Sequence, residues 1–429
     1  MNDERRPLTA RIPADGSALD LAGYQRAGGY RALRHALAGL APGDVTARVK
    51  DAGLRGRGGA GFPTGMKWGF VPMDADAGPK YLVANADEME PGTFKDRLLM
   101  EGDPHQLIEG IALAAYALQA DTAFIFLRGE YHGAAERLAR AIAEAGAAGL
   151  LGERILGSDF SLALHLHTGA GRYICGEETA LLNALEGRRA VPRDKPPYPQ
   201  ACGLWGRPTV VNNVETLCNL PHIVAHGADW YRGLSRCEDG GTKLYGASGR
   251  LARPGAWELP LGTPLRELIE AHAGGLRDGL ALRGVLPGGA STDFLGADQL
   301  DVAMDYDAVS DAGSRLGTGM AIVLDDATCP VGMVLNLERF FARESCGWCT
   351  PCRDGLPWTA QLLAEIEAGR GQPGDLERLE LHTGLLGPGR TFCMHAPGAM
   401  EPLQSALKLF RDDFERHIAE HRCPYGGGS

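Results

Sequence analysis

Short apolar runs alternate with amphipathic segments through the first half of the chain. Four runs with strand character span 81–85, 123–128, 160–168 and 209–211. Three segments with helical spacing of hydrophobic positions span 104–119, 133–145 and 179–185. Asp103 is the expected N-cap of the first of these helices, with Pro104 in its first turn. Strands that alternate with helices predict an α/β domain with a mostly parallel sheet.

The pattern changes in the second half. Strand-like runs span 242–248, 256–260, 283–286 and 321–324. A helix is expected over 263–273, starting at a capping box formed by Thr263 with Glu267 nearby. These elements predict a small α+β unit of the β-grasp type. Four later helices are predicted over 331–345, 358–368, 375–385 and 399–421.

This pattern predicts five consecutive segments. They are an N-terminal arm or short helical lead-in (1–45), the α/β domain (46–235), a β-grasp domain resembling soluble-ligand-binding modules (236–328), a C-terminal helical bundle (329–422) and a flexible tail (423–429).

Composition narrows the classes of function. Lys and Arg number 43 against 54 Asp and Glu, so the formal net charge of −11 disfavours nucleic-acid binding. No run approaches the ~18 consecutive apolar residues that a membrane span needs. The first residues contain no apolar core of a secretory signal, so we expect none. Ten cysteines without such a signal favour a reducing compartment and metal ligation over disulfides.

Three cysteines lie in one short loop and a fourth follows at a distance. Cys346, Cys349 and Cys352 are spaced three apart, and Cys393 is the distant one. Three thiolates from one loop suit the corners of a [4Fe–4S] cluster better than a zinc ion, which usually takes two separated pairs. Zinc and unligated thiols are the alternatives. The other six cysteines are expected to be buried or surface thiols, and His395 is either a neighbour of the cluster or a plain helix-start residue.

Two glycine-rich turns could hold phosphates. The first, over 53–69, contains Gly56, Gly58 and Gly61 but follows no clear strand, so a Rossmann fingerprint is disfavoured. Arg55, Arg57 and Lys67 add positive charge there, and Phe62, Trp68 and Phe70 could form a stacking wall. The alternative is a flexible basic loop.

The second turn, over 169–179, lies between a predicted strand and a predicted helix. Glu177 and Glu178 would stand in the first turn of that helix, as ligand-site groups or as ordinary helix-dipole acids. Polar residues also follow two strands: Asn85 with the acids of 87–90, and the pair Asn212 and Asn213. Strand ends of open α/β sheets bind ligands, although Asx turns are the plain alternative.

An iron–sulfur site combined with two phosphate-binding turns predicts electron transfer with nucleotide cofactors. At this point the chain resembles a known family, the NADH- and FMN-binding 51 kDa subunits (the F subunits) of respiratory complex I, that is, of NADH-quinone oxidoreductase. The resemblance covers about residues 30–422. It rests on GLRGRGGAGFPTGMKW, ANADEMEPGTFKDR, GAGRYICGEETALLNALEG, PTVVNNVETLCN, ESCGWCTPCRDG and TFC.

The resemblance implies a role for each matching residue. The FMN phosphate and ribityl chain would be held by Gly56, Arg57, Gly58, Gly59 and Lys67. The flavin would be lined by Asn85, Asp87, Glu88, Gly176, Glu177, Glu178, Asn212, Asn213 and Thr216. The adenine of NADH would stack on Phe62, Phe70 and Tyr198, the last of which is often Phe in relatives. Glu90 would meet the adenosine ribose and repel a 2′-phosphate, Tyr173 and Glu178 would flank the nicotinamide, and the four cysteines would hold the [4Fe–4S] cluster.

The implied reaction is hydride transfer from NADH to FMN by proximity and orientation, followed by single-electron transfer through the cluster to a partner. Glu88, Glu177 and Glu178 would tune the flavin potential and the release of NAD⁺. The implied partners are the thioredoxin-like [2Fe–2S] subunit and the large multi-cluster iron–sulfur subunit of complex I, on the cytoplasmic side of the bacterial inner membrane, with only indirect membrane contact.

Two rival functions remain open. The first is the diaphorase subunit of an NAD-linked hydrogenase or formate dehydrogenase. Such subunits often carry a fused [2Fe–2S] region, and the roughly 50 residues before the first glycine loop are too few for one, which favours complex I. The second is a binding module without catalysis, which predicts that no flavin co-purifies.

Overall fold

The structure, a computed structural model, describes residues 5–74 and 78–426. It divides into two compact units. The first contains the described residues up to Met89, then Phe94–Leu244 and Glu258–Gly262, and the second contains Glu90–Thr93, Tyr245–Trp257 and the residues from Thr263 onward.

The first unit is built on a parallel sheet of four strands. They are β1 (Tyr81–Ala86), β2 (Thr122–Leu127), β3 (Ala163–Thr168) and β4 (Thr209–Asn213). Their order is β3-β2-β1-β4, and every neighbouring pair is parallel. The predicted strands and their pairing are therefore confirmed, although β3 begins three residues later than the alternating pattern indicated. All four carboxyl ends meet at one edge of the sheet.

Twelve helices accompany this sheet in the described part of the chain. They are α1 (Leu21–Arg26), α2 (Arg31–Gly39), α3 (Pro42–Asp51), α4 (Thr64–Trp68), α5 (Lys95–Gly102), α6 (Pro104–Leu118), α7 (His132–Ala147), α8 (Glu178–Leu185), α9 (Pro199–Cys202), α10 (Val214–Cys218), α11 (Leu220–His226) and α12 (Ala228–Arg232). The predicted N-cap Asp103 is confirmed, because its carboxylate accepts from the amide of Gln106. Almost all of α6 is buried, which explains its long apolar run.

The segment before residue 45 packs into the core of this unit. Tyr24, Tyr30 and Leu33 are fully buried in the same hydrophobic cluster as the strands. The carboxylate of Glu109, the polar residue inside the apolar run of α6, accepts from the Tyr24 hydroxyl at 2.6 Å and from the amides of Tyr30 and Leu33. A single buried acid therefore fixes the lead-in helices to α6.

The second sheet contains β5 (Thr242–Ser248), β6 (Gly255–Pro260), β7 (Leu282–Leu286), β8 (Leu295–Gly296) and β9 (Met320–Asp325). Its order is β6-β5-β9-β7-β8, with β5 parallel to β9 and with β7 antiparallel to both β8 and β9. The helix predicted over 263–273 is present but shorter: residues 265–272 are helical, with Glu267–His272 in π-helical form, and the helix therefore starts two residues after Thr263. Pro264 instead forms a bridge with Ala303, which occupies the backbone where the first turn was expected.

The C-terminal helices are α13 (Tyr306–Asp311), α14 (Pro330–Glu344), α15 (Thr350–Glu367), α16 (Asp375–Leu386), α17 (His395–Leu409) and α18 (Arg411–Glu420). The single helix predicted over 399–421 is wrong, because the chain breaks at Phe410, whose ring packs edge-on against Phe294. Of the expected flexible tail, residues 427–429 lie outside the described residues. Within the described ranges, no helix is both long enough and apolar enough to cross a bilayer.

Candidate active site

Two asparagines meet at the carboxyl edge of the first sheet. Asn85 of β1 and Asn213 of β4 are register partners on adjacent strands. The Asn85 amide donates to the carbonyl of Gly176 at 3.1 Å, and Asn212 Oδ1 accepts from the indole of Trp68 at 2.9 Å. The two strand ends that the sequence singled out separately therefore lie side by side, and the 169–179 turn lies beside them.

The first glycine-rich loop lies against the end of β4. The Arg57 amide donates to Thr216 Oγ1 at 2.8 Å, and a Cβ at Gly58 would come within 3.0 Å of Asn213 Cβ. Gly59 has a φ of +129°, a conformation that side chains rarely adopt. The backbone of this loop therefore reaches the strand end because it carries no side chains there.

The side chain of Arg57 turns into the protein. It is fully buried and donates to the carbonyls of Gly240 and Thr242 at 2.9 and 3.1 Å. Its guanidinium therefore anchors the base of the glycine loop, whereas the sequence had suggested a direct contact with a phosphate. Trp68, expected in a stacking wall, is also fully buried.

Glu178 stands between two lysines. Lys67 Nζ lies 2.8 Å from one of its carboxylate oxygens and also donates to the carbonyl of Val211, while Lys195 Nζ lies 3.2 Å from the other oxygen. Burial alone would raise the pKa of Glu178, but the attraction of the two ammonium groups outweighs burial and lowers that pKa. The site therefore contains an ionised carboxylate with two cations.

Glu177 caps helix α8. Its carboxylate accepts from the amides of Thr179 and Ala180 at 2.9 and 2.8 Å, and Lys195 reaches its second oxygen at 2.9 Å. Sequence reasoning missed Lys195. The available signal was a cation just before the two prolines that lead to Tyr198.

Glu88 has a different position from the one expected. Its carboxylate accepts from the amides of Lys95, Asp96 and Arg97, which are the first three N–H groups of α5, and from the Tyr131 hydroxyl at 3.0 Å. Burial and the neighbouring Asp96 raise the pKa of Glu88 to about 7. Both oxygens are thus engaged inside the fold, which disfavours the expected flavin-lining role. Asp87 is also buried, and its amide donates to Asn85 Oδ1.

A buried charge network connects to the strand end. The Asn213 amide donates to Asp96 Oδ2 at 2.6 Å, and Lys95 Nζ lies 2.8 Å from Asp96 and 2.7 Å from Glu215. Glu215 also faces Lys243 at 3.6 Å. Desolvation lowers the pKa of Lys243 to about 7. The sequence analysis did not single out these four charged residues. They hold the side chain of Asn213 in place through its hydrogen bond to Asp96.

Three aromatic residues that the sequence singled out are exposed. The rings of Phe62 and Phe70 lie 6.4 Å apart, with 46% and 60% of these residues exposed, and Tyr198 is 56% exposed. Tyr173 begins a 3₁₀ turn that ends at Gly176. Because monomeric proteins usually cover large apolar rings, this exposure is typical of a face that stacks with a ligand.

Glu90 belongs to the second unit. Its carboxylate accepts from the amide of Ser291 at 2.6 Å, and Gly289 packs against its side chain.

The four spaced cysteines come together in the helical region. Cys346, Cys349 and Cys352 occupy the turn from α14 into α15, and Cys393 lies just before α17. Burial, together with the charges of Cys349, Cys393 and Cys346, raises the pKa of the Cys352 thiol to about 12. His395 Nε2 contacts the carbonyl of Phe341, so His395 is a helix-start residue that is anchored to α14. Four convergent thiols fit an iron–sulfur cluster.

The strand-end site also fits a flavin nucleotide. A Cβ at Gly176 or Gly59 would meet nothing within 4 Å, so both turns border open space. Lys67 supplies a cation, and the strand-end amides supply donors and acceptors for a ring edge.

These features together define an iron–sulfur flavoprotein. A family model described as the Nuo51 FMN-binding domain matches residues 49–222, that of the NADH-ubiquinone oxidoreductase-F iron-sulfur binding region matches 332–417, and that of the SLBB domain matches 247–294. The F subunit of the NADH-quinone oxidoreductase of Salmonella typhimurium is 58% identical over 417 residues, covering 97% of this chain and 94% of the relative. That of Streptomyces coelicolor is 51% identical, covering 94% and 89%. The chain belongs to this family, the F subunits of NADH-quinone oxidoreductase.

Two solved structures of another kind of enzyme are also similar to this chain. An NAD⁺-reducing [NiFe]-hydrogenase in the H₂-reduced state matches with a TM-score of 0.82 and 36% identity, covering 95% of this chain and 68% of that chain. The air-oxidised state gives 0.81 and 37%, covering 94% and 67%. The chain is an NADH-oxidising enzyme subunit with FMN and a [4Fe–4S] cluster as cofactors.

Proposed function

We propose that FMN binds at the carboxyl edge of the first sheet. Its phosphate end would meet the backbone of Gly56–Gly59 and the ammonium of Lys67. Its ring would lie beside Asn85, Asn213 and the open face of Gly176. The observation that carries this proposal is the approach of the glycine loop to Asn213, because that backbone can reach a ligand only where side chains are absent. Arg57 and Thr216 position the loop, and Glu88 positions α5.

NADH would stack its adenine on Phe62 and Phe70, whose exposed rings are adjacent, and the exposed Tyr198 would contribute as the family resemblance implies. Tyr173 and Glu178 would flank the nicotinamide. When bound, FMN would supply a hydride acceptor that can give up its electrons singly. The residues of the chain would contribute by orienting the substrate. The aromatic rings would hold the adenine end of NADH, and Lys67 and Lys195 keep Glu178 ionised. Glu177 contributes indirectly, because it fixes Lys195 at the start of α8.

Cys346, Cys349, Cys352 and Cys393 would hold the [4Fe–4S] cluster, which would supply a one-electron carrier between the flavin site and a partner's cluster. The soft, all-thiol set suits iron–sulfur chemistry. The implied partners are the thioredoxin-like [2Fe–2S] subunit and the large multi-cluster iron–sulfur subunit, in a peripheral arm on the cytoplasmic side of the membrane. The similar hydrogenase structures favour one second candidate, a diaphorase subunit of an NAD-linked hydrogenase.

We also propose that the second sheet is a β-grasp. Counted along the chain as strands one to five, β5 to β9 have the order 2-1-5-3-4, with the first and last strands parallel, which supports this class. We further propose that the domain boundaries lie at about residues 45, 235, 328 and 422, as the sequence predicts. The ranges matched by the family models, 49–222, 247–294 and 332–417, fall inside the three central domains.

The decisive experiment is an anaerobic titration of the purified holoprotein with NADH and, as the control, NADPH. Bleaching of the flavin absorbance by about one equivalent of NADH, with little response to NADPH, is the expected result. A cluster EPR signal should then grow. In Cys393→Ser the flavin should still bleach while cluster iron is lost, and Cys202→Ser, which removes an exposed thiol, should behave as wild type. A flavin that stays oxidised with NADH would contradict the nucleotide assignment. Co-purified subunits distinguish complex I from a diaphorase.

A further inference from the structure

A second group of metal-binding side chains lies in the helical region, separate from the four cysteines of the cluster. Cys329, Glu367, His417 and Cys423 each direct one ligand atom to a common centre, and these atoms all lie within 4.8 Å of one another. Cys329 Sγ is 3.2 Å from Glu367 Oε2 and 3.3 Å from His417 Nε2, and those last two atoms are 3.1 Å apart. Residues from four separate segments therefore converge.

The spacing suits one small ion. Zinc binds sulfur at ~2.3 Å and nitrogen or oxygen at ~2.0–2.2 Å, so two ligand atoms of a tetrahedral site lie ~3.3–3.8 Å apart. Three of the observed pairs, at 3.1–3.3 Å, are close to that spacing, and the widest pair, within 4.8 Å, would have to close by up to about 1 Å. Two sulfurs, one imidazole and one carboxylate also give the four ligands and the mixed donor set of a closed structural zinc site.

The orientation of His417 supports ligation. Its Nδ1 lies 2.6 Å from the carbonyl oxygen of Asp413. Because a carbonyl can only accept, Nδ1 carries the proton and the lone pair of the neutral ring is on Nε2, which faces the group. The Asp413 carboxylate is held in turn by Tyr425 and by Arg283, at 2.6 and 2.7 Å. Metal-binding histidines usually have an outer partner of this kind.

The backbone fixes the sulfur of Cys329. Cys329 is the N-cap of the fifteen-residue helix α14, and its sulfur accepts from the amide of Gly332 at 3.2 Å. Burial and the neighbouring Glu367 raise the pKa of this thiol, so a bound cation would have to displace its proton. Cys423 follows α18 and belongs to the segment that the sequence predicted to be a flexible tail.

We propose that Cys329, Glu367, His417 and Cys423 bind one zinc ion that ties the C-terminal segment to helices α14, α15 and α18. The proposal is independent of the flavin and cluster assignments. It gives a shared role to two cysteines that the sequence alone left as isolated thiols.

The test uses the full holoprotein, purified without chelators, given one equivalent of zinc and desalted. Elemental analysis should find about one zinc per chain in addition to the cluster iron. Zinc-edge X-ray absorption should show two sulfur and two nitrogen or oxygen neighbours. Cys423→Ser and His417→Asn should each weaken zinc binding by more than the roughly 10–100-fold that loss of an outer partner costs. His421→Asn is the matched control, because His421 is exposed on the same segment.

Three results would overturn the proposal. One is the absence of bound zinc in the wild type, with or without a Cys329–Cys423 disulfide found by mass spectrometry. Another is a shell of four sulfurs, which would place the zinc in the iron–sulfur site. The third is unchanged zinc binding in both ligand variants. The wild-type spectrum decides the question even if a variant fails to fold.

Discussion

Lys67 Nζ lies 2.8 Å from Oε2 of Glu178, and this ion pair joins the helix after the first glycine loop to the first turn of the helix after the second. The sequence analysis treated the two glycine-rich turns as two separate candidate phosphate sites. The pair makes them one site, because the lysine that would meet a phosphate also sets the charge of the acid that would meet the nicotinamide.

Lys67→Met is expected to weaken FMN binding by roughly 10–100-fold, the cost of one charge-assisted hydrogen bond. It should also raise the pKa of Glu178, because one of the two cations that lower it is removed. FMN content and affinity, measured by flavin fluorescence, check the first effect. Lys408→Met changes an exposed lysine and serves as the control. Equal flavin affinity in the two variants would remove Lys67 from the phosphate site.

Glu88→Gln is expected to change the pH dependence of stability. The folded pKa of Glu88, about 7, lies above its unfolded value, so its stabilising contribution is complete below about pH 4.5 and is lost as the pH rises through 7. Between those values the free energy of unfolding of the wild type should fall relative to the variant by up to about 1.4 kcal/mol per pH unit.

Urea unfolding at pH 5, 6 and 7 tests this prediction, with the exposed Glu136→Gln as the control. A parallel pH profile for wild type and Glu88→Gln would contradict it. A large change in the flavin potential with unchanged stability would instead restore the direct role of Glu88 that the sequence suggested.

Two glycine substitutions separate folding from flavin binding. Gly58→Ala introduces a Cβ 3.0 Å from Asn213 Cβ, so it should destabilise the protein even without flavin. Gly176→Ala points into open space, so it should leave the flavin-free protein as stable as wild type while weakening FMN binding. Thermal unfolding with and without FMN measures both effects, and Gly43→Ala, which also meets open space, is the control. Normal FMN affinity in Gly176→Ala would place the flavin elsewhere.

Phe62→Ala is expected to raise the KM for NADH while leaving kcat nearly unchanged, because the aromatic pair would bind the adenine and not the reacting ring. Base stacking on an aromatic side chain contributes about 1–3 kcal/mol, so a rise of about tenfold is expected. Anaerobic steady-state kinetics with an artificial acceptor measures it. Leu381→Ala removes an equally exposed apolar side chain in α16 and should have no effect. A loss confined to kcat would contradict adenine stacking.

The spacing of apolar residues predicted the secondary structure correctly where burial follows a simple rule. The runs that became β1, β2 and β4 are apolar because both faces of a parallel sheet are covered, and Asp103 was recognisable as a cap from its place before Pro104. The meeting of Asn85 with Asn213 depends in addition on β1 and β4 being neighbours in the sheet, which the pattern of apolar residues does not determine.

Side-chain direction was not predictable in the same way. Arg57 looked like a phosphate ligand because of its charge, but its carbonyl partners at Gly240 and Thr242 lie far along the chain. Glu88 looked like a site acid, but the free amides that it caps belong to a helix whose position depends on tertiary packing. Lys195 reaches Glu178 only because the chain returns after α8. Residue type alone cannot distinguish these cases.

The pairing of β1 with β4 has a consequence for synthesis. Every residue of β2, β3 and α8 leaves the ribosome between these two neighbours, so the amide pair at their ends cannot exist until the first unit is nearly complete. A nascent chain that stops before Thr209 contains the glycine loop but lacks β4, against whose end the loop packs. At the proposed site, flavin capture would therefore report that β4 has paired with β1.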